Sequence, residues 1–594
     1  MNNKIKLALI AAATATACLT ACQDDWDDHY GQKADAPMGT ASLYDVLRSR
    51  PELSDFCDVL DKTKVFSNCR QTDVTYATLL GNDQFFTVWA PVNGTFNRDS
   101  LIQMCQTTTG DSLVELHFVK NHVARFAHSV KADDEAIYMF NGKTITQNAA
   151  SFNGIGFVET NVAARNGVMH ILKQQSPYYH NIYEALVGLP EYEHIGRFLR
   201  SYQVDKLDEA ASLAKGVVDG KTVYIDSVFY STNPLLGTYD FGVLNGEDST
   251  YWALIPEKQL WDSLYAEAET YFNYVGVDKP DSLHELYSHY ALMQDLFYNP
   301  KAQRNPSRYF ASTPWVYSPY ETEELFLHHV YYNVFDEGGL FHPGTWSGSQ
   351  QCSNGWIYKL DKWPFYKEHL YFYPLINDIE DCLTTYEEGD KTKKLTAEIV
   401  ATNDPRVTYN YMTFTPQKQT DPYFFECEIG GVKSGTYDVY VIFLPRDVNP
   451  TLPFDESTTA GKRNLRPAKF QAEITYQGLD GKSHTVDCKT HYKIDPESGA
   501  YYVKGTSADP FLFDCNVNPN NANTRAFVND PLKVDSVKLC TMTFPTCSYA
   551  LTQPTTRVKI INTITPQESV NKYWGVWFVD RIVFKPHTDT EAGN

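Results

Sequence analysis

Positive charge is scarce in this chain: 51 Lys and Arg stand against 73 Asp and Glu, for a net charge of -22. Phosphate recognition needs clustered Lys and Arg, so nucleic acid and an anionic membrane face are excluded as partners. Long apolar runs are missing at the N-terminus, where the stretch Leu7 to Ala17 falls short of the roughly 20 residues that a spanning helix needs. No Cys-x-x-Cys occurs, which removes the zinc-ribbon pattern, and no glycine loop is shaped to cradle phosphate. The nearest approach to a zinc-protease helix, His284-Glu285-Leu286-Tyr287-Ser288-His289, spaces its histidines five apart, whereas two ligands on one helical face need four. In Gly344-Thr345-Trp346-Ser347-Gly348 the serine comes one place late for a nucleophile elbow. No catalytic residue, metal site or cofactor is therefore expected, although two glycosidase carboxylates far apart in sequence would leave no motif.

What the chain does have begins at its first residues. Lys4 and Lys6 precede the apolar stretch, which ends in Leu19-Thr20-Ala21-Cys22. A positive start, a short apolar region and small residues before a cut make a secretory signal peptide over residues 1–21. With cysteine at the cut point, the pattern resembles the lipobox of bacterial lipoproteins, and the resemblance implies acylation of Cys22, including its thiol. Several acyl chains give stable membrane anchoring. The cluster Gln23-Asp24-Asp25-Trp26-Asp27-Asp28 resembles the export tag of surface-exposed Bacteroidetes-type lipoproteins, which implies an outer-membrane location facing the medium; the plain alternative is a solvated acidic linker over 22–39.

With 594 residues, 43% hydrophobic and 14% aromatic, the chain can bury several cores, and its length suggests three or four domains. Its 40 tyrosines and 10 tryptophans suit both β-rich cores and the flat stacking surfaces that bind sugars. Once Cys18 leaves with the signal and Cys22 takes lipid, ten cysteines remain; Cys540 with Cys547, or Cys57 with Cys69, are near enough in sequence to pair, and buried free thiols are the alternative.

An internal repeat carries the most information. Ser42 to Leu53 aligns without gaps on Asn181 to Tyr192; in each, a capping residue is followed three places on by an acid, Asp45 or Glu184, and then by apolar side chains at helical spacing. Thr87-Val88-Trp89-Ala90-Pro91 corresponds to Trp252-Ala253-Leu254-Ile255-Pro256, and Asn166-Gly167-Val168-Met169-His170-Ile171-Leu172 to Asn354-Gly355-Trp356-Ile357-Tyr358-Lys359-Leu360. These boxes, with His117-Phe118-Val119-Lys120-Asn121-His122-Val123 between them, resemble the signature segments of fasciclin domains. The resemblance implies two compact α+β domains, at 40–176 and 181–366, the second with insertions near 215–250 and 300–350, and roles in adhesion or polysaccharide-associated contact rather than catalysis. His122 and His170 read as structural histidines, with ligand contact as the alternative.

After about 390 the pattern changes to short alternating strands, Tyr423 to Ile429, Tyr437 to Phe443, Phe470 to Tyr476, Val537 to Met542, Val558 to Ile564 and Trp574 to Phe584, separated by turn residues. This is a β-sandwich over 390–588, reached through a linker at 367–389. Gly435 to Val441 and Val579 to Phe584 resemble strands of a galactose-binding-like jelly roll, common among carbohydrate-binding modules. Tyr501 and Tyr502, in a turn-rich stretch, are its candidate ligand-binding residues. The expected whole is multidomain, two α+β fasciclin-like domains followed by an all-β sandwich. Three functions stay open: a non-catalytic glycan-binding or adhesion lipoprotein beside an outer-membrane transporter complex, with polysaccharide or oligosaccharide as ligand; a glycan-cleaving enzyme with its site in the sandwich; or a purely structural scaffold.

Overall fold

The computed structural model describes residues 39–67, 70–218, 221–237, 240–303, 305–313, 330–388, 395–490, 493–502 and 520–588; Cys22, Cys69 and Cys515 lie outside them. The chain is a multidomain mixture of short helices and several separate sheets, divided into two compact units. One unit takes the residues up to Leu235 with Val243–Tyr251 and Gln350–Trp356; the other takes Leu236–Gly242, Trp252–Ser349 and everything from Ile357. No helix among the described residues is long and apolar enough to cross a membrane.

The first unit opens with helix Leu43–Arg48, started by the predicted capping box: Ser42 Oγ accepts from Asp45 N–H, and the Asp45 carboxylate turns back to Ser42. Its core sheet runs Val123–Arg125, Phe86–Pro91, Gly167–Leu172, Ile155–Ala164, Ser151–Phe152, Thr144–Gln147, Glu135–Tyr138. Phe86–Pro91 and Gly167–Leu172 are parallel and wholly buried, the polar Thr87 and His170 included. Helix Ile182–Gly188 repeats the first start, with Asn181 and Glu184 forming its box.

The Asn-Gly pairs do more than turn the chain. Asn166 Oδ1 accepts from Leu43 N–H (2.7 Å) while its amide donates to the carbonyls of Leu80 and Asn82, and Asn354 does the same with Ile182 N–H (2.9 Å) and the carbonyls of Leu244 and Gly246. The glycines that follow have φ of 148° and 145°, and a Cβ on either would lie 1.8 Å from a carbonyl oxygen, of Phe86 or Tyr251. Each Asn-Gly thus pins a helix start, a loop and a strand together, leaving no room for a side chain at the second position.

In the second unit, Trp252, Phe310, Phe341 and Tyr358 pack ring against ring beside the strands Tyr251–Pro256 and Gly355–Leu360. The same unit holds a sandwich of two sheets. One runs Leu395–Ala401, Asn410–Pro416, Trp577–Pro586, Gly435–Phe443, Asp535–Phe544, and the other Leu383–Glu388, Tyr423–Ile429, Thr556–Asn562, Lys469–Gln477, Ser483–Asp487. Phe414 stacks on Phe425 at 4.5 Å and Phe443 on Phe470 at 4.8 Å, so facing strands of the two sheets meet through aromatic pairs. The stretch 367–389, expected as a linker, contributes structure: Leu375–Asp378 pairs with the strand Trp577–Pro586 and Leu383–Glu388 with Tyr423–Ile429. Segment Tyr271–Tyr274 binds the turns of this sandwich, with Asn273 Nδ2 on the Pro545 carbonyl, Tyr274 Oη on the Tyr549 carbonyl, and Ser434 N–H on the Tyr271 carbonyl.

Candidate functional site

The first unit contains a cleft of about 470 Å³ whose walls are unusually rich in amides and hydroxyls. Thr144 and Thr146 stand on the strand Thr144–Gln147, whose alternation buries Ile145 and Gln147 and leaves the two threonines exposed. Asn148 and Asn153 flank the short strand Ser151–Phe152, and Gln351 and Ser353 come from the far end of the unit's sequence. Asn153 holds a left-handed backbone, φ 51°, and ties this rim to the wall by donating to Ser176 Oγ and the Pro177 carbonyl. Tyr179 adds the one aromatic ring of the lining.

Behind the rim an ion network centres on one buried lysine. Lys143, its side chain 4% exposed, donates to Glu184 Oε2 (2.9 Å), Glu247 Oε1 (2.8 Å) and Ser353 Oγ (3.1 Å). Asn181 Nδ2 and Ser353 Oγ also donate to Glu247, and Tyr178 Oη to Glu184. Three segments distant in sequence therefore meet on one ammonium, which fixes the floor of the cleft. His117 stacks on Tyr178 at 4.2 Å; burial first, then His180, holds it near pKa about 4, so it is a neutral ring at physiological pH. The Cys352 thiol, also in the lining, is pushed up to about 12, chiefly by burial, and is not a nucleophile.

The arrangement offers many donors and acceptors, one ring and no ionised group without a partner among the contacts just described. That suits a ligand presenting hydroxyls in several directions, since amides and hydroxyls both give and accept hydrogen bonds. The sequence signal for this site was thin: Asn141-Gly142 marks the hairpin that delivers Lys143, but the carboxylates it meets come from positions with no local mark.

The residues singled out from sequence fall elsewhere. His122 is fully buried, donating from Nδ1 to the Phe118 carbonyl (2.8 Å) and accepting from Ser176 N–H at Nε2 (2.9 Å). His170 accepts from Asn161 N–H and donates to the His128 carbonyl while stacking on Trp89. Both are structural, and desolvation holds both near pKa about 4. His284 bonds the Phe272 carbonyl and His289 that of Glu285, so the two rings serve different carbonyls; no group of metal-ligating residues forms among the described residues. Ser347 Oγ lies on Glu257 and the Lys359 carbonyl. Tyr501 and Tyr502 form a short strand paired with Lys493–Ile494; the Tyr501 hydroxyl donates to the Thr543 carbonyl (2.7 Å) and accepts from Thr543 N–H (2.9 Å), a position that packs it on a neighbouring strand.

No family model matches the chain, and no curated protein does. Solved structures that are similar include a xanthan lyase of Paenibacillus, 11% identical over 40% of this chain with a TM-score of 0.18. Another is the FAS1 domain pair of the insect cell adhesion molecule fasciclin I, 12% identical over 48% of this chain and 90% of that pair, with a TM-score of 0.16. The chain spans 16% of the lyase's length.

Proposed function

We propose that this protein is a surface lipoprotein that binds a neutral oligosaccharide or polysaccharide without cleaving it, held on the outer membrane by lipid on Cys22 and working beside a transporter of glycan fragments. The observation that carries the binding reading is the polar cleft, with Thr144, Thr146, Asn148, Asn153 and Gln351 around a floor fixed by Lys143. Its volume falls within the range of about 300–1,000 Å³ typical of small-ligand sites. The two carboxylates nearest its floor, Glu184 and Glu247, are both engaged by the Lys143 ammonium, which supports binding over acid–base cleavage. Net charge of -22 favours a neutral glycan over a uronate or sulfated one. Support for the location is the Leu19-Thr20-Ala21-Cys22 segment with the acids behind it.

A glycan array probed with residues 23–594 tests the reading. Retention of neutral oligosaccharides, with their chain length unchanged after incubation, is the expected outcome. Shortened products would move the protein to the glycan-cleaving class, and an array without signal would favour a protein-docking scaffold.

A further inference from the structure

Two pairs of cysteines far apart in sequence meet inside the sandwich. Cys427 faces the interior of strand Tyr423–Ile429, fully buried, and is the register partner of Leu383; Cys382, the residue before, ends the short helix that links the two sheets. Its thiol and that of Cys427 are in hydrogen-bonding contact. The second pair bridges the sheets. Cys488 follows strand Ser483–Asp487 and is fixed by its N–H on the Ala472 carbonyl, while Cys540 belongs to the opposite sheet, where it pairs with Val439. A register shift on that strand, between the pairings of Val439 and Tyr440, leaves the buried Leu539 as the extra residue and puts the half-buried Cys540 opposite Val439. The thiols of Cys488 and Cys540 also contact each other. Among the described residues, Cys57 and Cys105 have Arg48 and Thr63 beside them, and Cys547 has Tyr274, rather than a second thiol.

We propose that the sandwich is closed by two disulfides, Cys382–Cys427 and Cys488–Cys540, the second tying one sheet to the other across the core. Each forms when a thiolate of the pair attacks a disulfide of an oxidising protein or small molecule, and the second thiolate then displaces that carrier from the mixed disulfide. The pair loses two protons and two electrons, and the carrier leaves as a dithiol or as two thiols. Formation in the cell rests on the export reading, because only an oxidising compartment sustains such bonds in most bacteria. Both close loops of about 50 residues, long enough to restrict the unfolded chain substantially. Cys540 and Cys547, near enough in sequence to pair, are both free thiols in the structure, and the contact of Cys540 with Cys488 is one that only the fold brings about.

The test has two arms on the full mature chain. In the first, protein isolated from membranes of the exporting cell is denatured with an alkylating reagent and no reductant, and its peptides are mapped by mass. In the second, the purified chain is unfolded in urea with reductant and refolded in a glutathione redox buffer, which supplies the oxidant whatever the native compartment. Crosslinked peptides Cys382–Cys427 and Cys488–Cys540, each about 2 Da below the sum of its thiol forms, with Cys105, Cys352 and Cys547 alkylated, are expected in both. All four sandwich cysteines alkylated in the second arm, or Cys540 joined to Cys547, would overturn the pairing. Crosslinks in the second arm without any in the first would leave the pairing standing and refute export to an oxidising compartment.

Discussion

Burial decides the protonation of the histidines that hold the first unit together. His122 uses both ring nitrogens on backbone groups, one as donor and one as acceptor, and a second proton would remove the acceptor that Ser176 N–H requires. His170 is arranged the same way between Asn161 and His128. With folded values of about 4 against an unfolded value of about 6.5, the unfolded chain binds more protons between those limits. Stability from each ring is then complete above pH 6.5 and is lost as pH falls towards 4, by up to about 3 kcal/mol apiece. Urea unfolding at pH 7 and pH 5 measures this, and a flat profile would contradict it. Lys143 gives the second test at this scale. Replacing it by methionine leaves Glu184 and Glu247, with side chains 34% and 16% exposed, short of their counterion, and should cost about 3 kcal/mol. The triple variant Lys143→Met, Glu184→Gln, Glu247→Gln should recover most of that loss in thermal unfolding.

Local chemistry dictates the repeated elements, and these are where sequence reading goes furthest. The capping boxes at Ser42 and Asn181 depend on residues three apart, and the sandwich strand Tyr423–Ile429 on strict alternation, so both are legible without a structure. Strand Leu375–Asp378 was not legible: it has four residues, and its partner lies near Arg581–Phe584, some 200 residues later. The cleft failed for the same reason, since its floor joins Lys143 to carboxylates supplied by helix Ile182–Gly188 and by the loop at Glu247. Tyr501, picked from a turn-rich stretch, occupies a short strand whose hydroxyl is held by Thr543, because composition marks where turns are and not which side chains the neighbouring sheet captures. At this scale Gly167→Ala and Gly355→Ala should each cost more than about 3 kcal/mol or prevent folding, since the new methyl would overlap a strand carbonyl at φ near 148° or 145°. Gly188→Ala, where nothing lies within 4 Å of a Cβ, should change the urea midpoint little. Equal effects at all three positions would refute the close-approach argument.

In the whole molecule as proposed, lipid on Cys22 would anchor the chain, the polar cleft of the first unit would take the ligand, and two disulfides would close the sandwich. The most direct test fills the cleft without touching its core. Thr146 is exposed on a strand whose intervening residues are buried, so Thr146→Trp occupies the cleft and leaves Ile145 and Gln147 in place. Calorimetric titration of the neutral oligosaccharide retained by the wild-type chain should lose at least tenfold in affinity with Thr146→Trp, while Tyr501→Phe binds as the wild type does. Unchanged affinity in Thr146→Trp together with a loss in Tyr501→Phe would contradict the account and move the glycan site to the sandwich.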